Sequence, residues 1–328
     1  MNNSALANGL RNGSWQSRLT FSLSGWMTVG LLVLVVAVNA SLQGNFFSEY
    51  SIMSNFATFA PLVFGAIAQA IVVISGGLDL SIGANLALSS VVALRVMEAE
   101  NGGTMLGILA GLATGAACGL LNGVVVAVVR LQPLIATFAT SNVFSGLALV
   151  VLPSPGGTVP SEITSLYRSI QAGIPFSVIL VIIAALAWLV VSRTKLLRHI
   201  RAVGGDYEAA YTSLVPVATT RLWTYTLAGL FVGAGAICLL ANTGSGDAGV
   251  GANAALDSIA AVVVGGVALS GGRGTAIGAI AGVFILEIAT NILSFLGVPT
   301  TWRDLLSGII IIVALALSVL TARRDEKK

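Results

Sequence analysis

The chain has 328 residues, of which 56% are apolar and 9% are charged, with a formal net charge of +3. Soluble domains carry about 25% charged residues, so this composition excludes an ordinary water-soluble fold. Apolar stretches of about 20 residues, enough for a helix to cross a bilayer, recur along the chain and predict an all-α polytopic membrane protein rather than a β-barrel.

Taken in chain order, hydropathy predicts about ten transmembrane helices. The predicted spans are residues 24–41, 52–74, 81–97, 104–129, 132–152, 174–192, 220–241, 255–271, 274–296 and 303–321. They form one transmembrane domain over residues 24–321, with tails at 1–23 and 322–328. Tight glycine-rich connections follow the second and eighth spans, so the count ranges from about eight to about eleven.

Positive charge predicts the orientation, because cytoplasmic loops retain Lys and Arg. With the N-terminus inside, thirteen of the sixteen basic residues lie on the cytoplasmic side, and only Arg95, Arg168 and Arg303 lie outside. We therefore expect both termini in the cytoplasm. This placement accounts for the basic pI of about 9.1 without a nucleic-acid partner.

Two loops are long enough to contact other proteins. Residues 193–219 form a cytoplasmic loop that is basic at its start, and residues 153–173 form an external loop with three prolines. Since each span needs about 20 residues, ten spans leave no room for a globular domain.

The chain lacks the P-loop motif for ATP binding, and it has few of the residues that catalysis commonly uses. A P-loop needs G-x-x-x-x-G-K-[ST], and none of the three lysines follows a glycine. A single histidine, His199, argues against intramembrane His metal sites and Ser–His triads. We predict no catalytic residue, no metal site and no cofactor in this chain, and we expect Cys118 and Cys238 to pack inside spans.

Glu287 is the most unusual residue of the predicted spans, because a carboxylate at the centre of a membrane helix costs about 2.5–3.5 kcal/mol. It indicates a hydrogen-bonded helix contact, a residue that reaches the outer interface, or a group that lines a polar pathway. The uncharged polar residues of the spans favour a neutral hydroxylated solute over an ion as a group, although each could simply bond a neighbouring helix. The candidate pathway residues are Asn85, Asn122, Thr137, Glu287 and Asn291.

Two similar decapeptides stand at predicted cytoplasmic ends of spans. Residues 75–84 read SGGLDLSIGA and residues 270–279 read SGGRGTAIGA, with six of ten positions identical. We expect Gly76 and Gly77 to adopt backbone angles that other residues resist, and Asp79 and Ser81 to cap the third span. A further glycine series on the fourth span predicts close approach of another helix. Its members are Gly107, Gly111, Gly115, Gly119 and Gly123.

The segment 75–83 resembles the signature of ribose-type permease subunits of bacterial ABC importers. Residues 256–275, LDSIAAVVVGGVALSGGRGT, are similar to that family's second hallmark, and the resemblance extends over about residues 45–321. The signature positions are Ser75, Gly76, Gly77, Asp79, Ser81 and Gly83. Residues 196–217 occupy the place of the family's ATPase-coupling segment. Its candidate contact residues are Gly205, Asp206, Glu208, Ala209 and Ala210.

This resemblance implies the ABC importer permease fold in a bacterial inner membrane, and a monosaccharide or similar polyol as substrate. The implied partners are an ABC ATPase subunit that binds the ATP, a periplasmic or lipid-anchored sugar-binding protein, a second identical or paralogous permease, and membrane lipid. Residues 204–215 are expected to form a short helix in a cleft of the ATPase, with Asp206 as its N-cap. Residues 153–173 are expected to help seat the binding protein.

Two departures from the family pattern leave alternatives open. Tyr211–Leu214 stand where relatives usually have a basic residue and then a glycine, and Glu287 stands where relatives usually have a small residue. The alternatives are a permease for a nucleoside or a branched-chain amino acid, or a self-sufficient secondary transporter, which would need ion-coupling groups at mid-bilayer. A membrane enzyme is disfavoured because His, Asp and Glu are scarce.

Overall fold

A computed structural model of the chain describes residues 23–100 and 102–299, together with positions 302, 305, 308 and 309. Most of the described residues are helical. Their elements, in chain order, are α1 (Leu23–Leu42), α2 (Glu49–Ile74), α3 (Ile82–Glu98), α4 (Thr104–Ala127), α5 (Pro133–Val151), α6 (Ser161–Tyr167), β1 (Ile170–Gln171), β2 (Ile174–Pro175), α7 (Phe176–Ser192), α8 (Lys195–Gly205), α9 (Tyr207–Thr212), α10 (Val217–Thr243), α11 (Ala254–Val264) and α12 (Ala276–Phe295).

The described helices include six that are long and apolar enough to cross a membrane, namely α1, α2, α4, α5, α10 and α12. A seventh candidate joins α7 to α8, which are bent by 76° at the break between them. Each predicted span between residues 24 and 296 contains a helix, although α3 and α11 are not among the membrane-spanning candidates. The all-α polytopic class is confirmed. The tenth predicted span, residues 303–321, falls almost wholly outside the described residues.

The eighth predicted span, residues 255–271, is shorter as a helix than hydropathy indicates. Helix α11 has 11 residues, which rise about 16 Å, roughly half of the hydrocarbon core of about 30 Å. It ends at Gly265, and Gly266 has a positive φ of 78°. The chain then continues without helix to Thr275. The eighth span is therefore a half-helix extended by a connection, because two glycines stop the helix inside an apolar run.

Helix α2 is the centre of the bundle. Its apolar window is 89% buried, and it packs against α7, α10, α11 and α12. Pro61 lies inside this helix, and a proline supplies no N–H to the carbonyl four residues earlier. The hydroxyl of Tyr167 on α6 donates to that carbonyl, of Ala57, at 2.8 Å. The loop after α5 is thereby tied to the central helix.

Helices α4 and α10 are in backbone contact along the predicted glycine series. A methyl group on Gly115 would lie 2.5 Å from the carbonyl oxygen of Gly229, and one on Gly111 would lie 2.7 Å from Ile237. The prediction of a closely approaching helix is confirmed. Cys118 and Cys238 are both buried, as expected of packing residues.

The segment between α7 and α10 forms two short helices on the surface of the bundle. Thr194 caps α8 by accepting from the backbone N–H of Leu197, and α8 buries Leu197, Ile200 and Val203. Its basic residues are exposed on the other side. An amphipathic helix with exposed Lys and Arg suits a membrane–water interface.

Candidate functional site

A cavity of about 360 Å³ lies between α2, α3, α10, α11 and α12, next to the loop that follows α10. Its polar lining consists of Thr58, Asn253, Asp257 and Glu287, and the remaining lining residues are apolar or glycine. Small-molecule sites are typically about 300–1,000 Å³ and mostly apolar with a few convergent polar groups. The cavity therefore has the size and the lining of a site for a small solute.

Two carboxylates converge on this cavity from different helices. Glu287 lies on α12, and Asp257 lies in the first turn of α11. A negative charge in the first turn of a helix is stabilised by the helix dipole, so the position of Asp257 is favourable for α11. Ionised carboxylates accept hydrogen bonds only, so this wall of the cavity can bind hydroxyl or amino groups of a solute.

Asn291 stands one turn from Glu287 on the same face of α12, because residues four apart are neighbours on a helix. Its side-chain amide donates to Oδ1 of Asn55 on α2 at 3.1 Å. The structure thus places the predicted pathway residues Glu287 and Asn291 side by side, with Glu287 on the cavity wall and Asn291 bonded to α2.

The other three predicted pathway residues, Asn85, Asn122 and Thr137, lie away from the lining of this cavity and are buried. Nδ2 of Asn85 donates to the carbonyl of Gly115 at 3.2 Å. The hydroxyl of Thr137 accepts from the N–H of Leu80 at 3.1 Å. Their polar atoms therefore join α3, α4 and α5 to one another.

A chain of buried hydrogen bonds holds the connection between α2 and α3, residues 75–81. Thr140 donates to Oδ1 of Asn122 at 2.6 Å, and Nδ2 of Asn122 donates to the hydroxyl of Ser81 at 2.7 Å. Ser81 in turn donates through its hydroxyl, at 2.6 Å, and its N–H, at 2.8 Å, to Oδ1 of Asp79. Burial raises the pKa of the Asp79 carboxyl, and the hydrogen bonds from Ser81 and Asn122 offset part of that effect.

The predicted capping of the third span is wrong in one respect. Ser81 is the N-cap residue of α3 but makes no side-chain bond to the first turn. Its hydroxyl instead donates to Asp79 and accepts from Asn122. A tertiary contact with α4 has thus replaced a local cap, and Asp79 bonds Ser81 rather than the helix itself.

The glycines of the signature have different requirements. Gly76 has a positive φ of 82°, as predicted. Gly77 does not, and its need is steric, because a methyl group there would lie 2.7 Å from the hydroxyl of Tyr225. A methyl group on Gly83 would collide with the carbonyl of Gly251. Ser75 donates to the carbonyl of Val72 at 2.7 Å and closes the end of α2.

The predicted coupling segment contains an exposed, capped helix. Oδ1 of Asp206 accepts from the N–H of Ala209 at 2.9 Å, so the predicted N-cap is confirmed. Glu208 and Ala209 are exposed, whereas Ala210 is buried against Val203 and Val217. The helix is shorter than the predicted range 204–215. Residues 204–205 close α8 instead, and Leu214 has a positive φ of 60° that ends the helical path.

The outer side of α9 presents large apolar groups to its surroundings. The side chains of Tyr211 and Leu214 are 67% and 90% exposed, and Tyr207 stacks under the guanidinium of Arg221 at 5.1 Å. Exposed apolar residues beside a polar rim mark a surface for protein contacts. Tyr211 and Leu214 belong to the segment that departs from the family pattern, whereas nothing in the sequence distinguishes Tyr207.

The chain matches one protein family over most of its length. That family, described as branched-chain amino acid transport system / permease component, matches residues 51–315. The fructose import permease protein FrcC of Rhizobium meliloti is 33% identical over 304 residues, which cover 88% of this chain and 84% of that protein. No solved structure matches the chain significantly.

Two further relatives extend the likeness. The ribose import permease protein RbsC of Escherichia coli K12 is 32% identical over 292 residues, covering 87% of this chain and 90% of that protein. The galactose/methyl galactoside import permease protein MglC of the same strain is 32% identical over 334 residues, covering 95% and 98%. Together with the helical bundle, these matches show that the chain belongs to this family of transport permease components and is a multi-pass membrane transport subunit rather than an enzyme.

Proposed function

We propose that the chain is the transmembrane permease subunit of an ATP-binding-cassette importer that carries a monosaccharide or similar polyol across the bacterial inner membrane. The relatives that match almost end to end are named for the import of fructose, ribose and galactose. The observation in the structure that carries the proposal is the cavity in which Asp257 and Glu287 converge. Its size suits one sugar ring, and its carboxylates can accept from several hydroxyl groups.

The proposed topology has ten spans with both termini in the cytoplasm, within a single domain over residues 24–321. Residues 1–23 and 322–328 are then cytoplasmic tails. The cavity lies toward the external side in this topology, since its lining includes the loop after α10 and the first turn of α11, which are then external. Helices α8 and α9 face the cytoplasm, which agrees with the exposed Lys and Arg of α8.

The energy source is ATP bound and hydrolysed by a separate ATPase subunit, and this chain holds no cofactor. We assign the contact with that subunit to α9, with Asp206 as its cap and Glu208 and Ala209 on its exposed side. Tyr211 and Leu214 enlarge the contact surface. Replacing Glu208 by Arg reverses a charge near the positive end of α9, and it is expected to weaken assembly with the ATPase. Unchanged assembly would contradict the assignment.

A periplasmic or lipid-anchored sugar-binding protein delivers the solute to the external side. Residues 153–173 provide its seat, which is firmly attached to the bundle. Arg168 donates to the carbonyl of Asn242 at 2.9 Å, and Oε1 of Glu98 accepts from the N–H of Thr158 at 2.9 Å. A second permease copy completes the transporter, and its α9 and external loop bind the second ATPase and the other half of the receptor.

The experiment that tests the substrate site compares two Glu-to-Gln variants in the assembled transporter. Glu287→Gln removes a charged acceptor from the cavity, whereas Glu49→Gln changes an exposed acid at the start of α2. A hydrogen bond to a charged group contributes about 1.5–3 kcal/mol, and 1.4 kcal/mol corresponds to about tenfold. We expect Glu287→Gln to lower sugar uptake about tenfold at saturating receptor.

The matched variant separates this effect from a general loss of charge. Glu49→Gln is expected to transport like the parent protein. Equal uptake by the two variants would remove Glu287 from the substrate site. Faster uptake of leucine or a nucleoside than of ribose, fructose or galactose would replace the sugar by another solute class.

A further inference from the structure

Three glycine-containing segments are in contact at the end of the bundle where α8 lies. They are residues 75–81, residues 265–275 and the last turn of α8. The N–H of Gly272 donates to the carbonyl of Ile74, the last residue of α2, at 2.9 Å. Gly204 of α8 lies against the same peptide group, since a methyl group there would overlap the Ile74 carbonyl oxygen and lie 2.9 Å from the nitrogen of Gly272. Segments that are distant in the sequence thus touch through their backbones.

The contact requires glycine on all three sides. Gly76 and Gly271 have φ values of 82° and 86°, in the left-handed region that other residues avoid. A methyl group on Gly271 would lie 2.5 Å from the carbonyl oxygen of Gly204 and 2.9 Å from Cα of Gly76. We call this contact of Gly76, Gly204, Gly271 and Gly272 the glycine junction. No flexible side chain separates its backbones, so a displacement of one segment is passed directly to the others.

The glycine junction is continuous with the proposed ATPase contact. Gly204 stands two residues before Asp206, the cap of α9, and the N–H of Asp206 donates to the carbonyl of Ala202 in α8 at 3.1 Å. Arg201 of α8 reaches the carbonyl of Gly274 at 3.4 Å. A movement of α9 therefore carries the end of α8, and Gly204 with it.

On its other side, the junction leads to the cavity. Residues 75–81 connect α2 to α3, and residues 265–275 connect α11 to α12. These four helices supply most of the cavity wall, including Gly65 on α2, Ile82 on α3 and the two carboxylates Asp257 and Glu287. Both connections therefore lie between the ATPase contact and the solute site.

We propose that Gly204 is a positioning residue that transmits movement of α9 through the glycine junction to the walls of the cavity. The proposal rests on the proposed role of α9 in ATPase contact. In this proposal the two SGG segments act together. Residues 75–77 act on α2 and α3, and residues 270–272 act on α11 and α12.

The first test compares two helical glycines. Gly204→Ala forces a methyl group into the Ile74 carbonyl, whereas a methyl group on Gly146 of α5 meets nothing within 4 Å. Transporters containing each variant are reconstituted with the ATPase and the receptor, and sugar imported per ATP hydrolysed is measured. Gly204→Ala is expected to lower this ratio at least tenfold while ATPase assembly stays within twofold of the parent. Gly146→Ala should match the parent, and equal ratios for both variants would overturn the proposal.

A milder pair keeps the proposal testable if Gly204→Ala fails to assemble. Gly76→Ala places a methyl group 3.4 Å from Cα of Gly204, while Gly297→Ala, at a similar positive φ of 74°, meets nothing within 4 Å. Both variants carry a similar backbone strain, but only Gly76→Ala places a methyl group in van der Waals contact with the junction. Gly76→Ala is expected to lower the coupling ratio at least threefold relative to Gly297→Ala. Matching ratios would contradict a role for the junction.

A second readout follows the cavity itself. Asn253 lines the cavity and is exposed, so Asn253→Cys, in a chain whose Cys118 and Cys238 are replaced by Ala, reports access to a maleimide reagent. ATP is expected to change the labelling rate at least threefold in this background and to leave it unchanged when Gly204→Ala is added. A preserved ATP response would overturn the proposal.

Failure of the proposed function gives a different result. If Glu208→Arg leaves ATPase assembly intact, α9 is not the ATPase contact, and the inference falls together with that assignment. If Glu208→Arg disrupts assembly while Gly204→Ala couples like Gly146→Ala, only the role of the junction is lost.

Discussion

The two connections that carry the SGG sequence meet at one point but are held by different chemistry. Residues 75–81 are fixed by side chains, with Asp79 and Ser81 bonded to each other and to Asn122. In residues 265–275, the position matching Asp79 is Gly274, and the connection is held by backbone contacts of the glycine junction. The two similar sequences are therefore held differently. Side-chain hydrogen bonds fix residues 75–81, whereas close backbone packing fixes residues 265–275.

Because of this difference, we expect the two connections to differ in how readily they move. The first is anchored to α4 and α5 through buried hydrogen bonds, which are costly to break. The second is bonded at its end, where Nε1 of Trp188 donates to the hydroxyl of Thr275 at 3.1 Å. We expect the second connection to move with α8 more readily than the first.

The largest effect is expected at Gly272 in the second connection. Its φ is 72°, and a methyl group there would lie 2.7 Å from Cα of Gly205. Left-handed backbone costs about 1–2 kcal/mol for other residues, and overpacking costs about 1–3 kcal/mol. Gly272→Ala is therefore expected to destabilise the protein by about 3 kcal/mol, measured as a lower melting temperature in detergent. A melting temperature equal to that of the parent protein would show that the junction tolerates extra volume.

The next effect concerns the polar anchor of the first connection. Asp79→Ala leaves the buried N–H and hydroxyl of Ser81 without their acceptor, and an unsatisfied buried polar group costs about 1–3 kcal/mol. We expect a loss of about 2 kcal/mol, read from the same melting experiment. Asp79→Asn keeps an acceptor oxygen at this position and is expected to lose less. Equal losses from both variants would show that charge, rather than the acceptor, holds the connection.

The smallest effect tests the contact of the first connection with α10. Gly77→Ala brings a methyl group to 2.7 Å from the hydroxyl of Tyr225, and it is expected to cost about 1–2 kcal/mol by overpacking. That hydroxyl has no hydrogen-bond partner within the described part of the chain. Tyr225→Phe should therefore be nearly neutral alone and should restore most of the stability of Gly77→Ala. A double variant no better than Gly77→Ala would place the clash elsewhere.

Sequence reasoning predicted the features whose causes are local. Asp206 caps α9 because its side chain reaches an N–H three residues away, and the glycines of α4 follow a helical repeat that can be read from spacing. Hydropathy predicts nine separate spans between residues 24 and 296, and each of them contains a helix.

The features that sequence reasoning missed depend on residues far apart in the chain. Ser81 was expected to cap α3, but Asn122 and Asp79 take its hydroxyl. The sequence places Gly204 only at the start of the expected helix 204–215, because its contact with Ile74 arises only in the folded bundle. Asp257 is not among the candidate pathway residues, because its convergence with Glu287 on one cavity requires the packing of α11 against α12.

The central claim, ATP-driven import of a sugar by this permease, is tested most directly by uptake into sealed vesicles. The vesicles contain the permease and its ATPase, with ATP inside and the sugar-binding protein with labelled monosaccharide outside. The account predicts uptake that needs both ATP and the binding protein and that Glu287→Gln reduces about tenfold, as a lost hydrogen bond to a charged group implies. Uptake by the permease alone, driven by an ion gradient without ATP, would contradict the account and establish a secondary transporter.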